Sequence, residues 1–195
     1  MKKYLISIFS FLQSKTGFKS FGKSSVIMFP YRIWNKDRVE IGSNIHIGPF
    51  SFFAVSKEFK AQRFNPVLKL GDNLNVGSNL FISCIDNIKI ENNVIISHRV
   101  SITDHEHGFD NPNIPVSEQS LKKGGPVLIK EGSFIGLNAV IMPGVTIGKN
   151  SVIGASSVVT RSVPDYSVAV GIPAKIFKEY NFKTKKWGKA KSIRK

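Results

Sequence analysis

Aliphatic residues recur every six positions in the second half of the chain. The run spans residues 129–160, "IKEGSFIGLNAVIMPGVTIGKNSVIGASSVVT", and its members are Ile129, Ile135, Ile141, Ile147, Ile153 and Val159. The position four residues after each of the first five is small or aliphatic: Ser133, Ala139, Val145, Ser151 and Ser157. This period fits neither the 3.6-residue turn of an α-helix nor the two-residue alternation of a strand. It predicts a chain wound into repeating coils.

The same period appears three more times earlier in the chain, with three members each time. These members are Ile41, Ile47 and Phe53, then Leu70, Val76 and Ile82, then Ile90, Ile96 and Ile102. Stacked triangular coils would turn these residues inward as a ladder and pair each backbone with the next coil, about 4.8 Å away. The sequence therefore predicts an all-β fold, a parallel β-helix of hexapeptide coils. Its open ends would expose unpaired strands, so we expect short capping segments at both ends.

Three insertions interrupt the period. Eleven extra residues precede Leu70, two precede Ile90 and 21 precede Ile129. Long loops in compact repeats are often functional, and the longest, about residues 104–126, begins at the histidine pair of "DHEH". His105 lies three residues after the inward Ile102, near a predicted corner, so we expect its side chain to face outward toward a neighbouring molecule. Asp104 could orient the ring of His105 or cap the loop through its own backbone.

The length of 195 residues fits one domain with tails. We assign residues 1–40 to an apolar and basic N-terminal cap, residues 41–164 to the β-helix with its protruding loop 104–126, and residues 165–195 to a C-terminal cap and basic tail. The apolar run from Tyr4 to Leu12 is too short to span a bilayer. No cleavage site of small residues follows it, so we expect a surface or docking helix rather than a signal peptide.

The charge balance suggests an anionic partner. The chain has 28 Lys and Arg against 13 Asp and Glu, a net charge of +15, which suits nucleic acid, a phosphorylated cofactor or a membrane surface. The tail from Lys178 onward holds eight of the basic residues and one acid. No RNA-binding signature is evident, so we expect no nucleic-acid partner. Cys84 is the only cysteine, which excludes an intrachain disulfide and fits a cytoplasmic location.

Several motifs occur in an order shared with one enzyme family. They are "ITDHEHG", the long loop, "FIGLNAVIMPGVTIG", "VIGASSVVT" and "VAVGIPAKI". With these motifs the chain resembles the hexapeptide-repeat acyltransferases, most closely the bacterial O-antigen and capsule sugar O-acetyltransferases. The resemblance implies a left-handed β-helix, although parallel crossovers are usually right-handed. It also implies a homotrimer with acetyl-coenzyme A in the groove between two prisms, and transfer of acetyl to a sugar or lipid-linked glycan acceptor.

The resemblance also implies roles for individual residues. His105 matches the family's catalytic base. A base is needed because a sugar hydroxyl is a weak nucleophile at neutral pH, where imidazole can accept a proton. His107 would bind the acceptor or brace the loop, and Ser83 aligns with an acceptor contact. The implied coenzyme contacts are the main chain at Leu137 and Ala155, together with Thr160, Lys175 and Lys178.

Other interpretations stay open on these residues. Relatives often carry Ser or Ala at the position of Leu137, so a hydroxyl contact is lost there while a backbone contact would remain. Zinc-dependent carbonic anhydrases share the fold, and His98, His105 and His107 could supply three nitrogens. Their spacing does not match that family, and we expect no metal. A non-enzymatic binding module of the same fold is the other alternative, and Lys175 and Lys178 could equally be an ordinary basic tail.

Overall fold

The computed structural model of the protein describes residues 10–190, which form a three-sided parallel β-helix. The first face contains β1 (Ser20–Phe21), β4 (Val39–Ile41), β9 (Val67–Leu70), β12 (Asn87–Ile90), β17 (Val127–Ile129) and β20 (Thr146–Ile147). The second contains β2 (Val26–Ile27), β5 (His46–Ile47), β10 (Asn75–Val76), β13 (Ile95–Ile96), β18 (Phe134–Ile135), β21 (Val152–Ile153) and β23 (Ser167–Gly171). The third contains β3 (Arg32–Ile33), β6 (Phe52–Val55), β11 (Phe81–Cys84), β14 (Ser101–Thr103), β19 (Val140–Ile141) and β22 (Val158–Val159).

The remaining elements lie outside the three faces or extend them. Two antiparallel ribbons pair β7 (Glu58–Phe59) with β8 (Gln62–Arg63) and β15 (His105–His107) with β16 (Leu121–Lys123). Beside β23, β24 (Ala174–Asn181) and β25 (Lys186–Lys189) extend the second face with antiparallel pairing. Short 3-10 helices cover Lys36–Arg38 and Val116–Glu118. Within residues 10–190 no helix is long and apolar enough to cross a bilayer.

The ladder predicted from the six-residue period forms the core. On the third face, Ile82 pairs in register with Phe53 below and Ile102 above, and the column continues through Ile141 to Val159. Every predicted ladder residue is at most 2% exposed. Each such aliphatic side chain contributes roughly 1.5–3 kcal/mol when it is fully buried. The coils therefore stack because each side chain covers the one in the next coil.

The corners follow a second regularity, three residues after most ladder positions. There the backbone turns through the left-handed region, with φ of 57° at Asn44, 58° at Asn73 and 59° at Asn93. Asparagine tolerates this conformation better than most residues. At the first edge, between the first and second faces, Asn44 Nδ2 donates to Asn73 Oδ1 and Asn73 Nδ2 donates to Asn93 Oδ1, both at 3.2 Å. The corner asparagines thus adopt the backbone conformation that the turn requires, and their side chains link successive coils.

All three insertions leave the prism at the third edge, between the third and first faces. The first carries the β7–β8 ribbon, the second adds Ile85 and Asp86, and the third is the loop 104–126. Gln62 joins the first to the third, because its side-chain amide accepts from Leu121 N (2.7 Å) and donates to Leu121 O (3.0 Å). Two insertions distant in sequence therefore form one wall beside the third edge.

The prism is longer than the predicted range 41–164. An additional coil precedes Ile41, because β1, β2 and β3 pair in parallel with β4, β5 and β6. Its inward residues Phe21, Ile27 and Ile33 also lie six apart, a signal present in the sequence. At the other end, β23 pairs with β21, so the second face continues past residue 164.

The N-terminal cap is correspondingly shorter than the range assigned to it. Residues 10–14 are helical, and Gln13 Oε1 accepts from Ile27 N (3.0 Å) while its Nε2 donates to Ile27 O (2.7 Å). These bonds satisfy backbone groups on the open end of the first coil. The remainder of the predicted cap, residues 1–9, and the tail residues 191–195 lie outside the described residues.

Candidate active site

Asp104 occupies the corner where the longest insertion leaves the third edge. Its side chain is fully buried, and its two oxygens accept hydrogen bonds from the backbone of the second insertion. Ile85 N donates to Oδ1 (3.0 Å) and Asp86 N donates to Oδ2 (2.9 Å). The two extra residues before Ile90 therefore supply the donors that a buried carboxylate requires.

The hydrogen bonds keep Asp104 ionised. Burial opposes ionisation, but the bonds from His105 and from the backbone of Ile85 and Asp86 outweigh it and lower the pKa of Asp104 below its ordinary value. Asp104 is therefore a carboxylate at neutral pH.

His105 is fixed by this carboxylate. Its Nδ1 lies 2.8 Å from Asp104 Oδ1, and its side chain is 11% exposed. Because an ionised carboxylate only accepts hydrogen bonds, Nδ1 carries a proton, and Nε2 of the neutral ring keeps its lone pair. Ser83 Oγ lies 3.4 Å from that Nε2. The arrangement can accept a proton from a hydroxyl group placed at Nε2.

His107 lies two residues further along β15, on the same side of the strand. Its ring is exposed and meets the ring of Phe59 edge to face, with centroids 5.6 Å apart at 81°. Phe59 belongs to the first insertion, which the sequence did not connect with the histidines. Because each insertion follows the third ladder residue of its coil, their common edge was readable from the sequence.

Lys123 and Asp86 also belong to the site, although the sequence did not predict them. Lys123 is the cross-strand partner of His105, and its Nζ lies 2.7 Å from Asp86 Oδ1. This ion pair links the returning strand of the loop to the residue that donates to Asp104. No local motif marks it, because it depends on the pairing of β15 with β16.

Cys84 is not placed for nucleophilic chemistry. Its side chain is fully buried, and its Sγ donates to Val67 O at 3.6 Å. Burial strongly raises the pKa of the thiol, and the negative charge of Asp104 raises it further. The thiolate that nucleophilic attack requires is therefore absent at neutral pH.

The residues expected to contact coenzyme lie elsewhere on the prism. Leu137 and Ala155 occupy successive coils at the second edge, between the second and third faces, and Ser156 N donates to Leu137 O (2.7 Å). The backbone N–H groups of Leu137 and Ala155 donate to no group within residues 10–190. Lys175 and Lys178 are exposed on β24. One chain thus brings together Ser83, Asp104, His105 and His107 but not these residues.

Thr160 and His98 are also placed apart from the histidine pair. Thr160 is exposed at the end of the third face, in the last coil. His98 is exposed at the second edge, where its Nδ1 accepts from Ser78 N at 3.0 Å. Within the described part of the chain, no group of three or more His, Cys, Asp and Glu side chains is arranged to hold a metal ion.

The Asp104 contacts predict a pH-dependent loss of stability in Asp104→Asn. An amide cannot accept from both Ile85 N and Asp86 N, so we expect this variant to be about 1–3 kcal/mol less stable at pH 7. A carboxylate with a lowered pKa stabilises the fold above its unfolded pKa of about 3.9, and this contribution disappears as the pH falls through the folded value. Urea unfolding should therefore show the difference narrowing below about pH 4.

The control for this prediction is Asp110→Asn, which alters an exposed carboxylate of the same loop that pairs with Lys122. We expect a change below about 0.5 kcal/mol. An equal deficit for Asp104→Asn at neutral and acidic pH would contradict the assigned ionisation.

Comparisons with known proteins show the same architecture and a common family. The family described as "Bacterial transferase hexapeptide (six repeats)" matches residues 126–161. A structure of AntD, an N-acyltransferase from Bacillus cereus with dTDP and 3-hydroxybutyryl-CoA, superimposes with a TM-score of 0.72. The two sequences are 24% identical, and the superposition covers 89% of each chain. This similarity of fold confirms the expected left-handed parallel β-helix.

Several curated relatives are named as acetyltransferases. The Escherichia coli K12 protein "Putative lipopolysaccharide biosynthesis O-acetyl transferase WbbJ" is 34% identical over 173 residues, 85% of this chain and 84% of the relative. The galactoside O-acetyltransferase of Escherichia coli K12 is 35% identical over 125 residues, but this chain spans only 58% of its length. A structure of galactoside acetyltransferase with coenzyme A gives a TM-score of 0.57 at 27% identity, over 83% of this chain and 64% of that chain. The chain belongs to the hexapeptide-repeat acyltransferases and is an acetyltransferase.

Proposed function

We propose that the protein transfers acetyl from acetyl-coenzyme A to a hydroxyl of a sugar in a bacterial surface-polysaccharide precursor. The observation that carries the proposal is the Asp104–His105 pair, with a ring nitrogen left free to accept a proton. The names of the relatives support a sugar acceptor, and the galactoside acetyltransferase structure supports coenzyme A as the acyl carrier. The carbonic anhydrase and binding-module alternatives receive no support from these names.

In this proposal His105 acts as the general base. Its Nε2 removes the proton of the sugar hydroxyl as that oxygen attacks the thioester carbonyl. A carbon–oxygen bond forms, the carbon–sulfur bond breaks, and His105 returns the proton to the departing sulfur. Asp104 holds the ring and stabilises its transient positive charge. In this proposal Ser83 and His107 contact the acceptor, and a backbone N–H near Leu137 stabilises the oxyanion.

The second edge offers groups that fit coenzyme A, which supplies the activated acetyl group. The unused N–H groups of Leu137 and Ala155, one coil apart, are available to carbonyl oxygens of the pantetheine arm. Lys175 and Lys178 are exposed cations suited to its phosphates, and Thr160 offers a hydroxyl. Leu137 and Ala155 lie on a different edge from His105, so a complete site needs a second copy of the chain.

The outward residues indicate which faces meet in such an assembly. The first face is charged, with Glu40 pairing with Lys19 (2.7 Å) and Lys69 (3.3 Å). The outward row of the second face is largely apolar, with Ile95 48% and Phe134 39% exposed. On the third face the row runs through Phe52, Phe81, Ser101, Val140 and Val158. We propose a homotrimer in which the second face of one copy meets the third face of the next.

We expect light scattering to give a mass three times the 21.6 kDa of one chain. Phe134→Glu should reduce this mass, because a buried unpaired carboxylate is costly at an apolar interface. Leu128→Glu, the matched change on the charged first face, should leave the trimer intact. A monomeric wild-type protein, or a trimer that persists in Phe134→Glu, would refute this arrangement.

The catalytic role of His105 predicts a specific kinetic change. We expect His105→Ala to lower turnover by roughly 10² to 10⁴, the usual contribution of a positioned base, while coenzyme binding and melting temperature change little. His107→Ala should mainly raise the KM for the acceptor. The readout is release of free thiol from acetyl-coenzyme A with nucleotide sugars and lipid-linked glycans as acceptors. If His105→Ala retains more than about a tenth of normal turnover, the assigned role is wrong. If only His107→Ala abolishes activity, His107 is the base and His105 has the secondary role.

We also propose a cytoplasmic location, at the inner face of the membrane when the acceptor is lipid-linked. The predicted apolar run from Tyr4 to Leu12 lies mostly outside the described residues, but Phe11 is 63% and Leu12 55% exposed beside Lys15. Lysines near an anionic lipid surface contribute about 1 kcal/mol each. Equal recovery on neutral and anionic vesicles at low salt would reject this electrostatic contribution.

A further inference from the structure

The C-terminal ribbon encloses a cleft that the proposed acetyl transfer does not use. The cleft has a volume of about 800 Å³ and lies between residues 164–167, where the last coil ends, and residues 179–189 of the β24–β25 hairpin. This volume falls in the range of small-ligand sites, roughly 300–1,000 Å³. The cleft is formed within one chain, and its residues include none of those assigned to the Asp104–His105 site.

Four aromatic side chains line the cleft. Tyr166 and Phe182 meet at 4.8 Å, Tyr180 and Phe182 at 5.0 Å, and Tyr180 and Trp187 at 5.4 Å between ring centroids. The angles between the rings are 65–88°, so the rings meet edge to face. Phe182 is nonetheless 63% and Trp187 44% exposed. Aromatic surface exposed in a concave site is available to a ligand.

Positive charge is concentrated beside these rings. Lys183, Lys186 and Lys189 line the cleft, and none of them pairs with an acid within residues 10–190. Lys178 lies directly across from Lys189 on the neighbouring strand. Like charges in directly opposed positions destabilise a strand pair. Lys189 lines the cleft and Lys178 does not, so an anionic group bound beside Lys189 would reduce this repulsion.

Polar side chains complete the lining. Asp165, Glu179 and Asn181 border the same cleft. Asp165 already accepts from Lys149 N (2.8 Å) and pairs with Lys130 (3.1 Å). Asn181 Oδ1 already accepts from Lys183 N (2.9 Å) and Thr184 N (3.1 Å). Glu179 and Asn181 lie on the face of the hairpin opposite Tyr180 and Trp187, so we assign the ligand contacts to the aromatic face.

We propose that this cleft binds an acidic oligosaccharide. The C–H faces of pyranose rings are apolar and would cover the exposed rings of Trp187 and Phe182. The sugar carboxylates would pair with Lys189, which shares the face of Trp187, and with Lys183 in the turn between β24 and β25. A nucleobase is less well suited, because neighbouring rings here meet edge to face and leave no parallel slot. The cleft would hold an acidic glycan independently of acetyl transfer, so its test needs neither coenzyme nor turnover.

The chain provides its own reporter for this binding. It has two tryptophans, and Trp34 packs against Phe52 on the third face, so Trp34→Phe leaves Trp187 as the only tryptophan. We expect tetragalacturonate to change the emission of Trp187 and to bind about tenfold or more tightly than uncharged maltotetraose, a difference of about 1.4 kcal/mol. Raising the salt concentration should weaken the binding of the charged ligand and leave the affinity for the neutral one nearly unchanged.

Variants in the Trp34→Phe background test the contacts. Replacing Lys183 and Lys189 by Gln should weaken tetragalacturonate binding about tenfold, as expected for lost charge-assisted hydrogen bonds. The control replaces Lys15 and Lys23, two exposed lysines near the opposite end of the prism, and removes the same charge. Phe182→Ala should weaken both oligosaccharides, with folding of each variant checked by circular dichroism.

Four outcomes would overturn the proposal. The first is that neither sugar changes the Trp187 emission or binds by calorimetry. The second is that the lysine control weakens binding as much as the cleft variant, which would show unspecific attraction by net charge. The third is that coenzyme A displaces the oligosaccharide, which would make the cleft part of the cofactor site. The fourth is that a single-stranded oligonucleotide binds more tightly than tetragalacturonate.

Discussion

The fold depends on a corner that recurs three residues after each inward side chain. At most corners the coil turns because the backbone enters the left-handed region at that position, and Asn or Gly occupies most of these corners. Where the corner is regular, the next strand continues the prism. Where it is replaced, the chain leaves the prism, and every large departure occurs at the third edge. The same geometric rule therefore builds the rigid scaffold and selects the place where loops gather.

The candidate site is assembled from these departures. The two-residue insertion supplies backbone donors to Asp104, the long loop supplies His105 and His107, and the first insertion supplies Phe59 and Gln62. A buried carboxylate is stable only when its hydrogen bonds are satisfied. Asp104 thus holds two insertions together while it orients the imidazole. This arrangement places the histidine at the edge of a rigid prism rather than on a free loop.

Much of this architecture was readable from the sequence, because ladder and corner residues follow a strict period. The period predicted the inward residues from Ile41 to Val159 and the loop that begins at Asp104. It missed the coil of Phe21, Ile27 and Ile33, since two extra residues follow that coil and shift the phase. The pairing of Lys123 with Asp86 could not be predicted, because it depends on how residues 37 positions apart in sequence meet in space. The position of His105 was predictable, whereas its hydrogen-bond partners required the structure.

The central claim is that the Asp104 carboxylate fixes His105 with the proton on Nδ1 and the lone pair on Nε2. Nitrogen NMR of protein labelled with ¹⁵N in its histidine rings measures this directly, and a His105→Gln sample identifies the signal among the four histidines. The account predicts that the neutral His105 ring is protonated at Nδ1, and that Asp104→Asn shifts the proton toward Nε2. A neutral ring protonated at Nε2 in the wild-type protein, or a spectrum unchanged by Asp104→Asn, would contradict it.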